Sequence, residues 1–369
     1  MKLWLLIGVL LGAVAATGAL LVAASGVIPI KASSGHFAIT EWFLQFSKKR
    51  SVAMHTLGMK LRPLDDPSLV IKGAGSYEVG CRPCHGSPEL RNPRIPRAML
   101  PPPPYLPDRV GEWEPEELFY IVKHGIKFTG MPAWPSQQRD DEVEAMVAFL
   151  VKSPGLDVAG YRRLVHGDAA TEPVSSKEPL AELEGNDAPP RLARENCARC
   201  HGPKGLGRLG AHPRLAGQRE AYLLNALKAY ASDKRYSGIM QPIAAALTRE
   251  EMRDLASYYA NLPSGSQPGA AALPAEQVER GRKIANEGIP AQGVATCSEC
   301  HGPNPTKRNP AYPLLAGLHP DYLELQLQLL QDRQRGGSSY IHIMHKIVPR
   351  LGEEQLRDVA LYYASQPAP

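Results

Sequence analysis

Cys81-Arg82-Pro83-Cys84-His85, Cys197-Ala198-Arg199-Cys200-His201 and Cys297-Ser298-Glu299-Cys300-His301 are three copies of one pattern, Cys-x-x-Cys-His. In this spacing the two thiols each bond a vinyl carbon of one heme, which places the adjoining histidine beneath the iron as a ligand. All six cysteines of the chain lie in these motifs, so none remains for a disulfide. A zinc site or a redox dithiol would need further cysteines or a thioredoxin-like setting, and the sequence offers neither. The expected cofactor is therefore covalently bound heme c, three per chain, tethered at Cys81 and Cys84, Cys197 and Cys200, and Cys297 and Cys300, with His85, His201 and His301 on the irons. A chain carrying three large flat hydrophobes has to build its cores around them.

The 369 residues leave room for two or three domains, and three heme units of about 80–100 residues would nearly fill them. A short helical unit buries little apolar surface alone, so each heme becomes the centre of a core. The formal charge of +5 and the pI near 8.8 are weak pointers to a partner, because each heme adds two propionates to the count. Nucleic acid is not an expected partner, since no dense Lys/Arg stripe or recognition motif is present.

No residue from Leu3 to Ile30 is charged, a run of 28 positions dominated by Leu, Val, Ala and Gly. That length spans a bilayer, and residues 1–30 read as a transmembrane signal-anchor in contact with membrane lipid. Ala23-Ala24-Ser25 offers a small-residue cleavage site, but the apolar run exceeds the usual core of a cleaved leader. Heme is attached outside the cytoplasm, so the heme units are expected on the periplasmic side of a bacterial inner membrane. Residues 31–68 form a juxtamembrane segment in which Ile39, Trp42, Phe43 and Phe46 recur at helical spacing before Lys48, Lys49 and Arg50. Two readings stay open: a helix lying in the lipid interface, or a helix packed on the first heme unit.

The first heme unit is assigned to residues 69–170. A proline-dense loop from Pro88 to Pro107 cannot be helix and has to wrap as extended chain. Glu114-Pro115-Glu116-Glu117 starts a helix that Gly125 stops, and a last helix opens at Asp140 with Val143, Met146, Val147 and Leu150 on one face. Residues 171–188 are acidic, proline-bearing and without apolar period, which marks a linker to a second unit at 189–263. A second break at 264–274 leads to a third unit at 275–369.

These last two units repeat each other. Pro213-Arg214-Leu215-Ala216-Gly217 recurs as Pro313-Leu314-Leu315-Ala316-Gly317 and Tyr222-Leu223 as Tyr322-Leu323, at the 100-residue offset of the heme motifs. After a four-residue insertion Met240 matches Met344, and Tyr258-Tyr259-Ala260 matches Tyr362-Tyr363-Ala364. Duplication explains the pattern economically.

The sixth iron ligand separates electron transfer from catalysis: a methionine thioether fills it and raises the potential, whereas a vacancy admits oxygen or peroxide. Met131, in Gly130-Met131-Pro132 and 46 residues after His85, is preferred over Met99 in the proline loop and over Met146, which has the role of core filler. Met240, 39 residues after His201, is preferred over Met252. Met344 is the only methionine after Cys297, but His342 and His345 flank it as alternative ligands. The expected pairs are His85 with Met131, His201 with Met240, and His301 with Met344. His36, His55, His124, His166, His212 and His319 lack metal-ligand spacing and read as surface or capping residues, and no catalytic group stands out.

The motifs, the distal methionine loops and the terminal helices resemble class I cytochrome c domains, three in series over nearly everything after Leu69. The last two units, with Cys-His-Gly, Pro-x-Leu-Ala-Gly and the closing Tyr-Tyr-Ala helix, are similar to the diheme cytochrome c4 family. The resemblance implies that the carbonyls of Pro213 and Pro313 accept a hydrogen bond from the proximal histidine ring. The first unit lacks Pro-x-Leu-Ala-Gly, which leaves Pro101 to Pro104 open for that part. The reading as a whole is an all-α, membrane-anchored triheme cytochrome c that carries single electrons and is not itself an enzyme. Its expected partners are redox proteins: a terminal oxidase, a quinol-oxidising complex or a dehydrogenase. The alternatives are the cytochrome subunit of a dehydrogenase and, further off, a heme peroxidase or reductase.

Overall fold

The computed structural model describes residues 2–28, 30–31, 33–91, 93–167, 191–208, 210–265, 273–303 and 308–368. About 60% of the chain is helical and no sheet forms among the described residues, so the expected all-α class holds. The expected linker at 171–188 and most of the break at 264–274 lie outside the described residues.

Helix α1 (Lys2–Ala24) has 23 residues, which at ~1.5 Å per residue reach about 34 Å, more than a hydrocarbon core of ~30 Å. Its Leu3–Ala24 stretch has a mean hydropathy of 2.5 and none of it is buried. Helix α2 (Ala38–His55) is divided along its length. Towards the N-terminus Trp42, Phe43 and Phe46 are 60%, 58% and 52% exposed, with Trp42 stacked on Phe46. Towards the C-terminus Val52 is buried, His55 stacks on Tyr120 at 5.2 Å, and the Lys48 ammonium lies 5.7 Å over Trp113. The second half therefore packs on the first heme unit while the aromatic half stays exposed.

The described helices gather around three apolar cores. The first is built by α3 (Pro67–Gly80), α4 (Arg82–His85), α5 (Pro115–His124), α6 (Asp140–Lys152) and α7 (Val158–His166). Asp66 caps α3 by accepting from the Ser68 N–H, and Pro67 takes the first helical position, where a missing N–H costs nothing. Helix α5 begins and ends where the Glu114-Pro115 and Gly125 signals put it, closed by a capping box between Glu114 and Glu117. Helix α6 buries Val143, Met146, Val147 and Leu150 as its period predicts. The sequence reading stops the unit's helices at α6, and the structure adds α7. Asp157 caps it, and its Tyr161 hydroxyl donates to Glu78 at 2.6 Å.

The second unit runs through α8 (Ala198–His201), α9 (Glu220–Ala231), α10 (Met240–Ala245) and α11 (Arg249–Asn261). The third runs through α12 (Ala275–Glu287), α13 (Ser298–His301), α14 (Pro320–Gln331), α15 (Ile341–Ile347) and α16 (Glu353–Ser365). Helices α8 to α11 find counterparts in α13 to α16, as the sequence repeat requires; the positions that answer to α12 lie outside the described residues. The motif shared by both units has a common structural use. The Gly217 N–H donates to the Tyr259 carbonyl at 3.1 Å, and the Gly317 N–H donates to the Tyr363 carbonyl at 2.9 Å. Pro-x-Leu-Ala-Gly is thereby pinned to the closing helix through the second tyrosine of each pair.

Two glycines let helices approach closely. A Cβ on Gly73 of α3 would stand 2.0 Å from the Ala145 carbonyl oxygen of α6, and one on Gly281 of α12 would stand 1.9 Å from the Asp358 oxygen of α16. Gly281→Ala should therefore lower stability by about 1–3 kcal/mol, the usual cost of overpacking. Urea unfolding of the heme-loaded protein would show a reduced midpoint, and an unchanged midpoint would mean that this helix crossing yields freely.

Candidate heme sites

Each Cys-x-x-Cys-His motif ends on one turn of helix closed by a glycine. The amides of Gly86, Gly202 and Gly302 bond back to residues 82, 198 and 298 at 2.8, 2.7 and 3.0 Å. The histidine rings are then gripped from one side. His85 Nδ1 donates to the Pro104 carbonyl at 2.8 Å, His201 Nδ1 to that of Pro213 at 2.9 Å, and His301 Nδ1 to that of Pro313 at 3.0 Å. A carbonyl only accepts, so Nδ1 carries the proton and the Nε2 lone pair is left for a metal. Burial lowers the pKa of all three rings, that of His301 to about 4, and keeps them neutral. The implied Pro213 and Pro313 contacts are thus present, and among Pro101 to Pro104 it is Pro104 that serves the first unit. Burial also pushes the Cys81 thiol up to about 12 and those of Cys200 and Cys297 up to about 11. A redox dithiol needs the opposite shift.

Five of the methionines fall into two groups. Met146 and Met252 are 1% and 5% exposed and fill cores. Met131, Met240 and Met344 are half-buried, in the loop after α5, at the start of α10 and within α15. Met131 is held by its carbonyl, which accepts from the Ile126 N–H at 3.2 Å, and by its N–H, which donates to Thr129 Oγ1 at 3.1 Å. The Met240 N–H donates to Ser237 Oγ at 3.0 Å. Met344 and Cys297 border the same core. Of the flanking histidines, His342 is exposed and His345 spends its Nε2 on the Arg335 carbonyl at 2.9 Å. Met99 reaches from the proline loop to Gly130, next to Met131, its sulfur 3.4 Å from where a Gly130 Cβ would lie. Loop residues 31 positions apart carry no period that would reveal this.

The structure corrects the sequence reading of His212. It is not a surface residue: its ring packs edge-on against His201, with centroids 6.1 Å apart, and its enclosed Nε2 lies near Gly75 of α3. A second feature missed in sequence lies between the second and third units. Arg235 is 7% exposed and its guanidinium meets Gln326 Oε1 at 2.9 Å, the Tyr322 hydroxyl at 3.5 Å and the Tyr230 ring at 4.6 Å. Arg335, bridged to it through the backbone, donates to the Tyr222 hydroxyl at 2.9 Å. These partners are all neutral. Buried guanidinium groups need anions, and the carboxylates of bound heme have the matching chemistry. The neutral Nε2 atoms and this donor set both fit heme: the motif histidines would hold its iron, and Arg235 and Arg335 would offer donors to its carboxylates.

The sequence is similar to known families and proteins. The family model described as "Cytochrome C oxidase, cbb3-type, subunit III" matches residues 69–150, and that described as "Cytochrome c" matches residues 190–263. The thiosulfate dehydrogenase electron acceptor of Thiomonas intermedia (strain K12) is 33% identical over 181 residues, 49% of this chain and 82% of that protein. The chain belongs to the c-type cytochromes. Its domains are similar to cytochrome c4: that of Thiocapsa roseopersicina is 33% identical over 168 residues, 45% of this chain and 84% of that protein. A solved cytochrome c4 of Acidithiobacillus ferrooxidans is 31% identical, covers 46% of this chain and 98% of its own, and superposes with a TM-score of 0.41. This cytochrome binds heme c and transfers electrons with redox partners.

Proposed function

We propose that this cytochrome is a membrane-anchored triheme electron carrier of a periplasmic respiratory chain, passing single electrons towards a terminal oxidase or other acceptor. The observation that carries the reading is the threefold recurrence of Cys-x-x-Cys-His with the ring Nδ1 donated to a proline carbonyl. The proposed units are residues 69–170, 189–263 and 275–369, joined by linkers at 171–188 and 264–274. The proposed ligand pairs are His85 and Met131, His201 and Met240, and His301 and Met344. Full His/Met coordination keeps oxygen and peroxide off the iron and sets the potential high, which suits transfer rather than catalysis. For the third unit, the engagement of His345 Nε2 with Arg335 favours Met344. Residues 1–30 are proposed to remain as an anchor in the inner membrane, with the exposed Trp42, Phe43 and Phe46 of α2 in the headgroup zone.

A second reading is supported by the electron acceptors of thiosulfate dehydrogenase among the relatives, from Thiomonas intermedia and Stutzerimonas stutzeri. In that reading this cytochrome takes electrons from a dehydrogenase partner. The two readings differ in the donor and share the heme chemistry.

Thioether ligation to ferric iron gives a weak near-infrared absorption band. Met131→Ala, Met240→Ala and Met344→Ala should each remove roughly a third of it, by counting ligands, while Met99→Ala leaves it whole. Loss in Met99→Ala instead of Met131→Ala would move the first ligand to Met99, and an intact band in Met344→Ala would give the third iron to a histidine.

Membranes washed with concentrated salt should retain this cytochrome, because salt screens surface charge and does not extract an inserted apolar helix. Release of a soluble protein whose N-terminus begins near Gly26 would show a cleaved leader instead.

A further inference from the structure

The loop that carries Met131 and the loop that carries Met240 meet at one buried carboxylate. Glu142 of α6 is 4% exposed. Its Oε2 accepts from Trp134 Nε1 at 3.2 Å and from the Gly238 N–H at 2.6 Å; its Oε1 accepts from Ser237 Oγ at 2.7 Å. Trp134 stands three residues after Met131. Ser237 stands three before Met240, and its Oγ accepts the Met240 N–H at 3.0 Å. Two hydrogen bonds therefore separate Glu142 from the backbone of one methionine, and a bond plus three residues separate it from the other.

Charge and packing reinforce the junction. Arg139 pairs with Glu142 at 3.0 Å and with Asp141 at 2.7 Å, and Lys72 of α3 pairs with Asp141 at 2.8 Å. The same Arg139 crosses to the second unit and donates to the Tyr236 carbonyl at 2.6 Å. Gly238 lies against the indole: a Cβ there would stand 2.1 Å from Trp134 Nε1. Ile239, beside Met240, packs on the core of the first unit. Every residue from Tyr236 to Met240 thus touches, or is held by a residue that touches, the first unit.

We propose that Glu142 is a positioning residue that locks the distal loops of the first two heme units together, so that the potentials of these two centres are set jointly. The proposal rests on the ligand reading above only for naming Met131 and Met240 as what the loops carry. A buried carboxylate has fixed geometry because each of its oxygens is saturated by donors from both sides, and releasing one donor leaves it undersatisfied for the other unit too. The third unit lies outside this contact and serves as the internal control.

The test is a redox titration of the full-length, heme-loaded chain, resolved into its three one-electron steps. Ser237→Ala removes one donor to Glu142 from the second unit, and Trp134→Phe removes one from the first while also thinning the packing of the indole against Gly238, so the serine variant is the cleaner of the two. Each is expected to move two of the three steps, by about threefold or more in the reduced-to-oxidised ratio, as loss of one buried hydrogen bond would. Glu142→Gln, which keeps the shape but turns one acceptor into a donor, should move the same two by about tenfold, ~59 mV for a one-electron couple. A shift confined to the unit that carries the substitution, in either mild variant, overturns the proposal. Met131→Ala and Met240→Ala assign the steps by their largest shift. If those two leave all potentials in place the ligand reading fails, while the number of steps moved by Ser237→Ala and Trp134→Phe still decides the coupling.

Discussion

A proline carbonyl that accepts the Nδ1 proton of a motif histidine is the interaction on which each unit depends. It fixes the tautomer, aims Nε2 away from the backbone and anchors the chain that passes beneath the ring. The contact recurs three times, at His85, His201 and His301, although Pro104 comes from a loop unlike those of Pro213 and Pro313. In the second and third units the proline belongs to Pro-x-Leu-Ala-Gly, whose glycine is pinned to the closing helix through Tyr259 or Tyr363. Ring, loop and last helix therefore form one connected support in both units.

Much of this was legible in the sequence because it is written in local patterns. The motif spacing located the helical turns that end on His85, His201 and His301, the 100-residue offset showed the duplication, and Glu114-Pro115 and Gly125 marked the ends of α5. The choice of Pro104 was not legible, since four consecutive prolines carry no internal mark of which carbonyl turns inward. Helix α7 escapes a reading of the sequence for a different reason. Its nine residues are short, yet Asp157 and Gly167 do bracket them as a cap and a stop. His212, Met99 and the Arg235–Arg335 pair depend on contacts between distant segments, and no periodicity reports such contacts.

The two contacts between units differ in chemistry. The second and third meet through the duplicated Pro-x-Leu-Ala-Gly segments, where Gln218 exchanges two 2.9 Å hydrogen bonds with the backbone of Leu314, and through arginines facing tyrosines and Gln326. The first and second meet through a saturated carboxylate and an indole. The former contact leaves cationic donors for the acidic edge of heme, whereas the latter is complete within the protein. The two junctions therefore differ in polarity, one offering cationic donors and one made by Glu142 and Trp134.

The proposed carrier holds three ligand-saturated hemes in one chain. A reductive titration of the full-length protein under carbon monoxide tests that most directly. It should take up three electrons per chain, reversibly and in one-electron steps, with the reduced spectrum unchanged by the gas. Uptake of fewer than three electrons, or a carbon monoxide complex at any of the hemes, would contradict it.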